Sequence, residues 1–164
     1  MSGSKDTNPK DVVSSTKLDM SLVPSTIPTY AAMALTEGAL KYGRYNWRIA
    51  GVRMSIYMSA MQCHIAKLND GEWADPDTTV PHLASIIACA GIIADAKLCG
   101  KLTDDRPPVA PVSELIDAQV HLVAHLKELF KEHDPHQFTI EDSDHAHTRV
   151  DGRVLREVPR VPES

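Results

Sequence analysis

What this chain of 164 residues has little of narrows it first. Aromatic residues make up 5% of it, so a helical fold filled with Ala, Ile, Leu and Met suits the composition better than a β-sandwich. No basic surplus exists: 17 Lys and Arg stand against 22 Asp and Glu, which argues against a protein that coats nucleic acid. The three cysteines, Cys63, Cys89 and Cys99, form no CxxC pair and read as reduced thiols of a reducing compartment. The longest apolar run, 83–94, is too short to span a bilayer, and the opening MSGSKDTNPKD lacks the apolar stretch of a signal peptide. A soluble, cytoplasmic protein with no membrane contact is expected. Also missing are a GxxxxGK[ST] phosphate loop, a GxGxxG turn and a GxSxG nucleophile turn. A nucleotide site in this chain would have to be built from helix side chains and metal.

What the chain does have is helical periodicity, on a length that suits one domain. Residues 1–28, with Pro9, Pro24 and Pro28 among many polar residues, are expected to form an extended arm. TYAAMALTEGALKYG, after Thr29, predicts a first helix stopped by Gly43, and RYNWRIAG a connector ending at Gly51. VRMSIYMSAMQCHIAKLNDG predicts a second helix, with Met54, Ile56, Met58, Met61, Ile65 and Leu68 mostly along one side. After the polar loop EWADPDTTVP a third helix runs over about 82–99, and a fourth over about 113–133. The expected fold is all-α, a four-helix-type bundle over 29–133 with a polar tail at 134–164.

The third helix, HLASIIACAGIIADAKLCG, poses a question: why does an apolar segment carry Asp95? Its neighbours three and four residues away are Gly91, Ile92, Leu98 and Cys99, and none can pair with it. An unpaired buried carboxylate costs several kcal/mol or protonates, so Asp95 either reaches solvent or meets a cation. Glu37, inside the first helix, has Lys41 four residues on, the spacing of an ordinary surface ion pair. His64 and Lys67 share a side of the second helix with Tyr57 and Ala60, where a lone histidine is more often structural than a ligand. The acidic loop of Asp70, Glu72, Asp75 and Asp77 reads either as solvated linker or as oxygen ligands for a hard cation. His82 follows Pro81, and thirteen helical positions put it roughly 140° from Asp95, so the two do not point at one ion. Lys41, Arg44, Arg48, Lys101 and Arg106, all near helix ends, could cradle phosphates, while Asn46 and Trp47 offer an edge and a face for a base.

Four blocks carry a resemblance: NPKD (8–11), EGALKYGRYNWR (37–48), GEWADPDTTVPHL (71–83) and GKLTDDRPP (100–108). In this order they resemble the phage dATP/dGTP diphosphohydrolases of the MazZ type, a family of MazG-like all-α nucleoside triphosphate pyrophosphohydrolases. The resemblance implies a homo-oligomer, dimer or tetramer, whose acidic helix residues hold Mg²⁺ or Mn²⁺ against the phosphates of a purine deoxynucleoside triphosphate. It implies cleavage between the α- and β-phosphates to monophosphate and pyrophosphate. In phages that replace adenine by 2-aminoadenine, it implies removal of dATP and supply of dGMP. MazG-like enzymes typically carry EExxE on one helix and ExxD on the next. Here the first helix offers only Glu37, the ExxD spelling falls at Glu72 and Asp75, and Asp95 stands for the late aspartate. The metal ligands expected on this basis are Glu37 and Asp95, then Glu72 and Asp75, with one of these acids or His82 as proton acceptor. The nucleotide contacts expected are Lys41, Asn46, Trp47, Arg48, His64, Lys67, Lys101 and Arg106.

Two other readings compete. An HD-type phosphohydrolase is suggested by His133-Asp134, although Pro135 follows at once where that motif needs a helix. A helical interaction module with no activity is the second.

Overall fold

The computed structural model of the protein describes residues 17–142. Most of the expected N-terminal arm, the NPKD block with it, and the tail beyond 142 lie outside the described residues. After a single 3₁₀ turn at Met20–Leu22, helix α1 spans Thr26–Tyr42 and the short α2 spans Trp47–Ala50. Strand β1, Val52–Arg53, leads into α3, Met54–Asn69; α4 spans His82–Leu98, β2 is Leu102–Thr103, and α5 spans Val112–Leu129. The fold is all-α, and no helix among the described residues is long and apolar enough to cross a membrane.

Helices α1, α3 and α4 pack together, with α4 between the other two. Small residues on α4 allow that approach: Ala84, Ala88 and Ala96 are buried on one side of it, four and eight residues apart. Among the described residues the one large side chain with no exposure at all is His82. Helix α1 starts earlier than Pro28 suggested, because a proline in the first turn loses no intrahelical hydrogen bond.

The segment expected to be a plain connector is instead helix α2, and the start of the predicted second helix is a strand. Val52 pairs with Leu102 and Arg53 with Thr103 in a two-stranded parallel ladder. This ladder ties the loop before α3 to the loop after α4. Asp105 strengthens the tie by accepting from Ser55 N (2.8 Å) and Ser55 Oγ (2.6 Å), a distant carboxylate at the positive end of α3.

Two expectations about packing change. The inward side of α3 carries Met54, Tyr57, Ala60, Met61, His64 and Leu68, while Ile56, Met58 and Ile65 face outward and are exposed. The fourth helix exists, at Val112–Leu129 rather than 113–133, yet every residue in it is exposed. The described residues therefore form a three-helix body with α5 beside it uncovered.

Gly51 is required where α2 turns into β1. Its φ of 78° and ψ of 169° lie in a region that only glycine enters readily, and a Cβ there would come within 2.9 Å of Lys101 O. Gly51→Ala is expected to lower unfolding stability by about 1–3 kcal/mol, read by urea denaturation. A neutral result would mean that the β1–β2 ladder does not hold this turn.

Candidate active site

The four elements α1 to α4 leave one cleft between them, of about 300 Å³. Helical spacing builds each wall. Glu37 and Lys41 come one turn apart from α1, Tyr57 and His64 two turns apart from α3, and Ser85, Cys89 and Ile92 along one side of α4. Asn46 and Trp47, at the start of α2, close the end. Ala34, Leu35, Ala88 and Ile92 supply the apolar lining. A mostly apolar cleft with a few convergent polar groups is the usual form of a small-molecule site.

Asp95 proves to have its cation in the protein itself. Arg48 donates through Nε to Oδ2 and through Nη2 to Oδ1, each at 2.8 Å, and Trp47 Nε1 donates to Oδ2 at 2.6 Å. Such a fork matches the planar guanidinium to both carboxylate oxygens. The Arg48 and Trp47 bonds hold the Asp95 carboxyl down to about 2. Arg48 also lies over the Tyr45 ring, 4.9 Å from its centroid, in cation–π contact. Asp95 therefore does not meet the cleft as a free ligand. It fixes the orientation of Trp47, whose ring lines the cleft on one side and, on the other, a second apolar hollow against Leu35, Leu40 and Arg44.

The remaining expected ligands are also engaged, and in separate places. Glu37 lines the cleft, paired with Lys41. Glu72 Oε1 accepts from Lys67 Nζ at 3.1 Å and lies 2.8 Å from His82 Nε2, and these two partners hold its carboxyl below the ordinary range. Asp75 folds its own loop: Oδ1 accepts from the backbone N–H groups of Asp77 and Thr78, which lowers its pKa. Among the described residues no three of His, Cys, Asp and Glu cluster as a cage for a metal ion. The expected set Glu37, Glu72, Asp75 and Asp95 thus does not fit a resident metal, because three of its four carboxylates are turned to other partners away from the cleft.

The basic residues divide likewise. Lys41 lines the cleft; Arg48 and Lys67 are bound to Asp95 and Glu72 outside it; Arg106 pairs with Asp104 of its own loop, with Nη2 2.7 Å from Oδ2. Lys101 lies in the turn after α4, where its backbone bonds Ala96 and Val52. His82, offered above as a proton acceptor, has no exposed surface and so does not touch a ligand directly. Instead its Nδ1 lies 3.0 Å from Nδ1 of His64, which does line the cleft. Burial, then the nearby His82 and Lys67, lowers the His64 pKa. Tyr57, Ser85 and Cys89 are cleft residues that sequence reasoning did not select. Burial raises the Cys89 and Tyr57 pKa values, which leaves Cys89 an unreactive thiol. The signal for Tyr57 was its place seven residues before His64; the hydroxyl of Ser85 in an apolar run was the other.

Residues 7–106 match the family described as dATP/dGTP diphosphohydrolase, N-terminal. The chain belongs to this family. It is accordingly a hydrolase acting on deoxynucleoside triphosphates. The matched span covers α1 to α4 and both strands, and hence every cleft residue, and stops short of α5. No curated protein and no solved structure matched the chain.

Asp95→Asn keeps an acceptor for Trp47 but loses the charge and the second acceptor for Arg48. A fall in kcat/KM on the order of tenfold, carried mainly by KM, is expected from the loosened Trp47. Because the folded pKa is depressed, the stability from this carboxylate is complete above the ordinary value of 3.8 and is lost as pH falls towards about 2. The gap in melting temperature between wild type and Asp95→Asn should therefore stay constant above about pH 4. A gap that instead changes between pH 5 and 8 would refute the assignment.

Proposed function

We propose that the cleft binds a purine deoxynucleoside triphosphate, dATP or dGTP, and that the chain hydrolyses it between the α- and β-phosphates to the monophosphate and pyrophosphate. One observation carries this reading. The family's EGALKYGRYNWR segment folds back on itself across the α1–α2 turn, so that Glu37, Lys41, Asn46 and Trp47 all line one space. In that space Trp47 offers a face for the base and Asn46 a hydrogen-bonding edge. Lys41, whose pKa is raised by Glu37, stays cationic at neutral pH and reaches the phosphates.

A divalent ion, Mg²⁺ or Mn²⁺, enters on this reading as part of the substrate rather than as a resident cofactor. Such ions commonly bind through one or two carboxylates together with phosphate oxygens and water. Glu37, the one cleft carboxylate, is the residue that would share it. The ion would supply charge neutralisation for a triphosphate entering a net acidic chain. In a phage that uses 2-aminoadenine, acting in its host's cytoplasm, hydrolysis of dATP would deplete it and hydrolysis of dGTP would furnish dGMP.

Self-association completes the proposal. Along α5 and just past it, Leu115, Leu122 and Leu129 recur every seven residues, followed by Ile116, Val123 and Phe130, with Val112, Gln119 and Leu126 between them. This is the wide apolar stripe of a bundle helix, and its residues are 42–64% exposed where α5 bears them on this chain. We assign its cover to a second copy of the chain, giving a homo-oligomer, dimer or tetramer.

Incubation with dATP or dGTP and Mg²⁺ or Mn²⁺ tests the activity. Monophosphate with pyrophosphate is expected; release of tripolyphosphate, as from an HD-type enzyme, or no hydrolysis at all, would refute the proposal. Glu37→Gln is expected to lower kcat/KM about a hundredfold or more without unfolding the protein. Sedimentation should show the wild type as an oligomer, and Leu122→Glu with Leu126→Glu should reduce it to monomers. A monomeric wild type would remove the self-association.

A further inference from the structure

A chain of hydrogen bonds leads from Glu72 through His82 to His64, which lines the cleft. Glu72, held ionised by Lys67 and His82, can only accept. His82 Nε2, 2.8 Å from Glu72 Oε1, is therefore the protonated nitrogen of that ring. In the tautomer whose one ring hydrogen serves that bond, Nδ1 of the buried His82 is an acceptor. The 3.0 Å contact between the two Nδ1 atoms needs one hydrogen, and His64 must supply it. His64 is then left with a lone pair on Nε2, on the part of the ring turned away from His82, and His64 lines the cleft.

We propose that Nε2 of His64 is the proton acceptor for the water that attacks the α-phosphorus, with His82 and Glu72 as positioning residues that set its tautomer. The inference rests on the cleft being the nucleotide site. In the step, the water oxygen forms its bond to the α-phosphorus while the bond to the bridging oxygen breaks. The water proton goes to His64 Nε2, and the electron pair of the broken bond leaves on pyrophosphate. The resulting imidazolium keeps its Nδ1–H bond to His82, which is held from behind by Glu72. Charged or titratable groups act on His64 from each side: Glu37 from α1, Lys67 on α3 itself, Asp75 from the loop and His82 from α4. The cleft that His64 lines also holds Lys41 from α1, Tyr57 on α3 and Cys89 from α4. Burial with the two basic neighbours outweighs the two acids, so His64 is in its basic form at neutral pH. Activity should fall only as pH drops below the ordinary histidine value of 6.5.

The test uses the full chain with ¹⁵N-labelled histidine and tryptophan and dGTP, alongside a dGTP analogue with a methylene group between the α- and β-phosphorus. In the wild type, His64 should show a protonated Nδ1 and a bare Nε2. His64→Gln should lower kcat by about 10²–10⁴-fold with KM little changed. Glu72→Ala should convert His64 partly to the other tautomer and lower kcat by about tenfold or more. Glu72→Gln loses the Lys67 ion pair equally but keeps a carbonyl acceptor, and should recover part of that loss. A wild-type His64 protonated on Nε2, a fully active His64→Gln, or identical losses in the two Glu72 variants would each overturn the proposal. Failure of the analogue to shift the Trp47 indole signal would instead overturn the cleft as the nucleotide site. A shift with normal kcat in His64→Gln leaves the site standing and removes His64 alone.

Discussion

An imidazole without partners inside a protein is costly, and the fold around His82 is arranged so that each of its polar groups has one. Its backbone N–H donates to Trp73 O at 3.0 Å, which sets the return of the acidic loop to the start of α4. Its ring joins the loop, through Glu72, to α3, through His64. Remove this ring and the loop at 72–81, the N-terminus of α4 and the inward side of α3 lose their common point. The placement of His64 in the cleft depends on it in turn.

Polar ties of this kind carry more of the geometry than apolar packing does. Apart from His82, the side chains buried along α4 are alanines, which bring helices close but give little shape to the space between them. The other end of the cleft is fixed by the fork between Arg48 and Asp95 and by the indole N–H of Trp47 on the same carboxylate. Two charged or polar side chains on α4, thirteen residues apart and on different sides of it, thus anchor opposite ends of one site. His82 sets His64, and Asp95 sets Trp47.

This explains what the sequence made legible and what it hid. The helices were readable because Gly43, Asn69-Asp70-Gly71 and Pro81 punctuate strong periodic runs, and their bounds shift by only a few residues. The question asked of Asp95 was the right one, since a carboxylate there does need a cation. Its partner was not readable, because Arg48 lies 47 residues away on a segment that looked like a connector and is in fact a helical turn. Likewise α3 has apolar residues on two sides. Periodicity grouped Met54, Met61 and Leu68 with Ile56, Met58 and Ile65, whereas only the first three pack inward, beside Tyr57 and His64. The β1–β2 ladder, two residues on each strand, has no periodic signal at all. Resemblance located the family but not the arrangement of its carboxylates, which depends on which basic groups reach them in three dimensions.

The pairing of Glu37 with Lys41 takes on a particular meaning in this setting. With no substrate, the two neutralise each other, so the cleft carries little net charge. On the proposed function, a triphosphate with a divalent ion would bring the opposite charge for each: phosphate oxygens for the ammonium, a cation for the carboxylate. The exchange would turn one ion pair into two, whereas a cleft lined by several free carboxylates would repel the same ligand until metal arrived. A neutral histidine beside this pair adds no further charge before the reaction. On the proposed function, that combination would let an acidic protein admit a polyanion through a cleft with a single lysine.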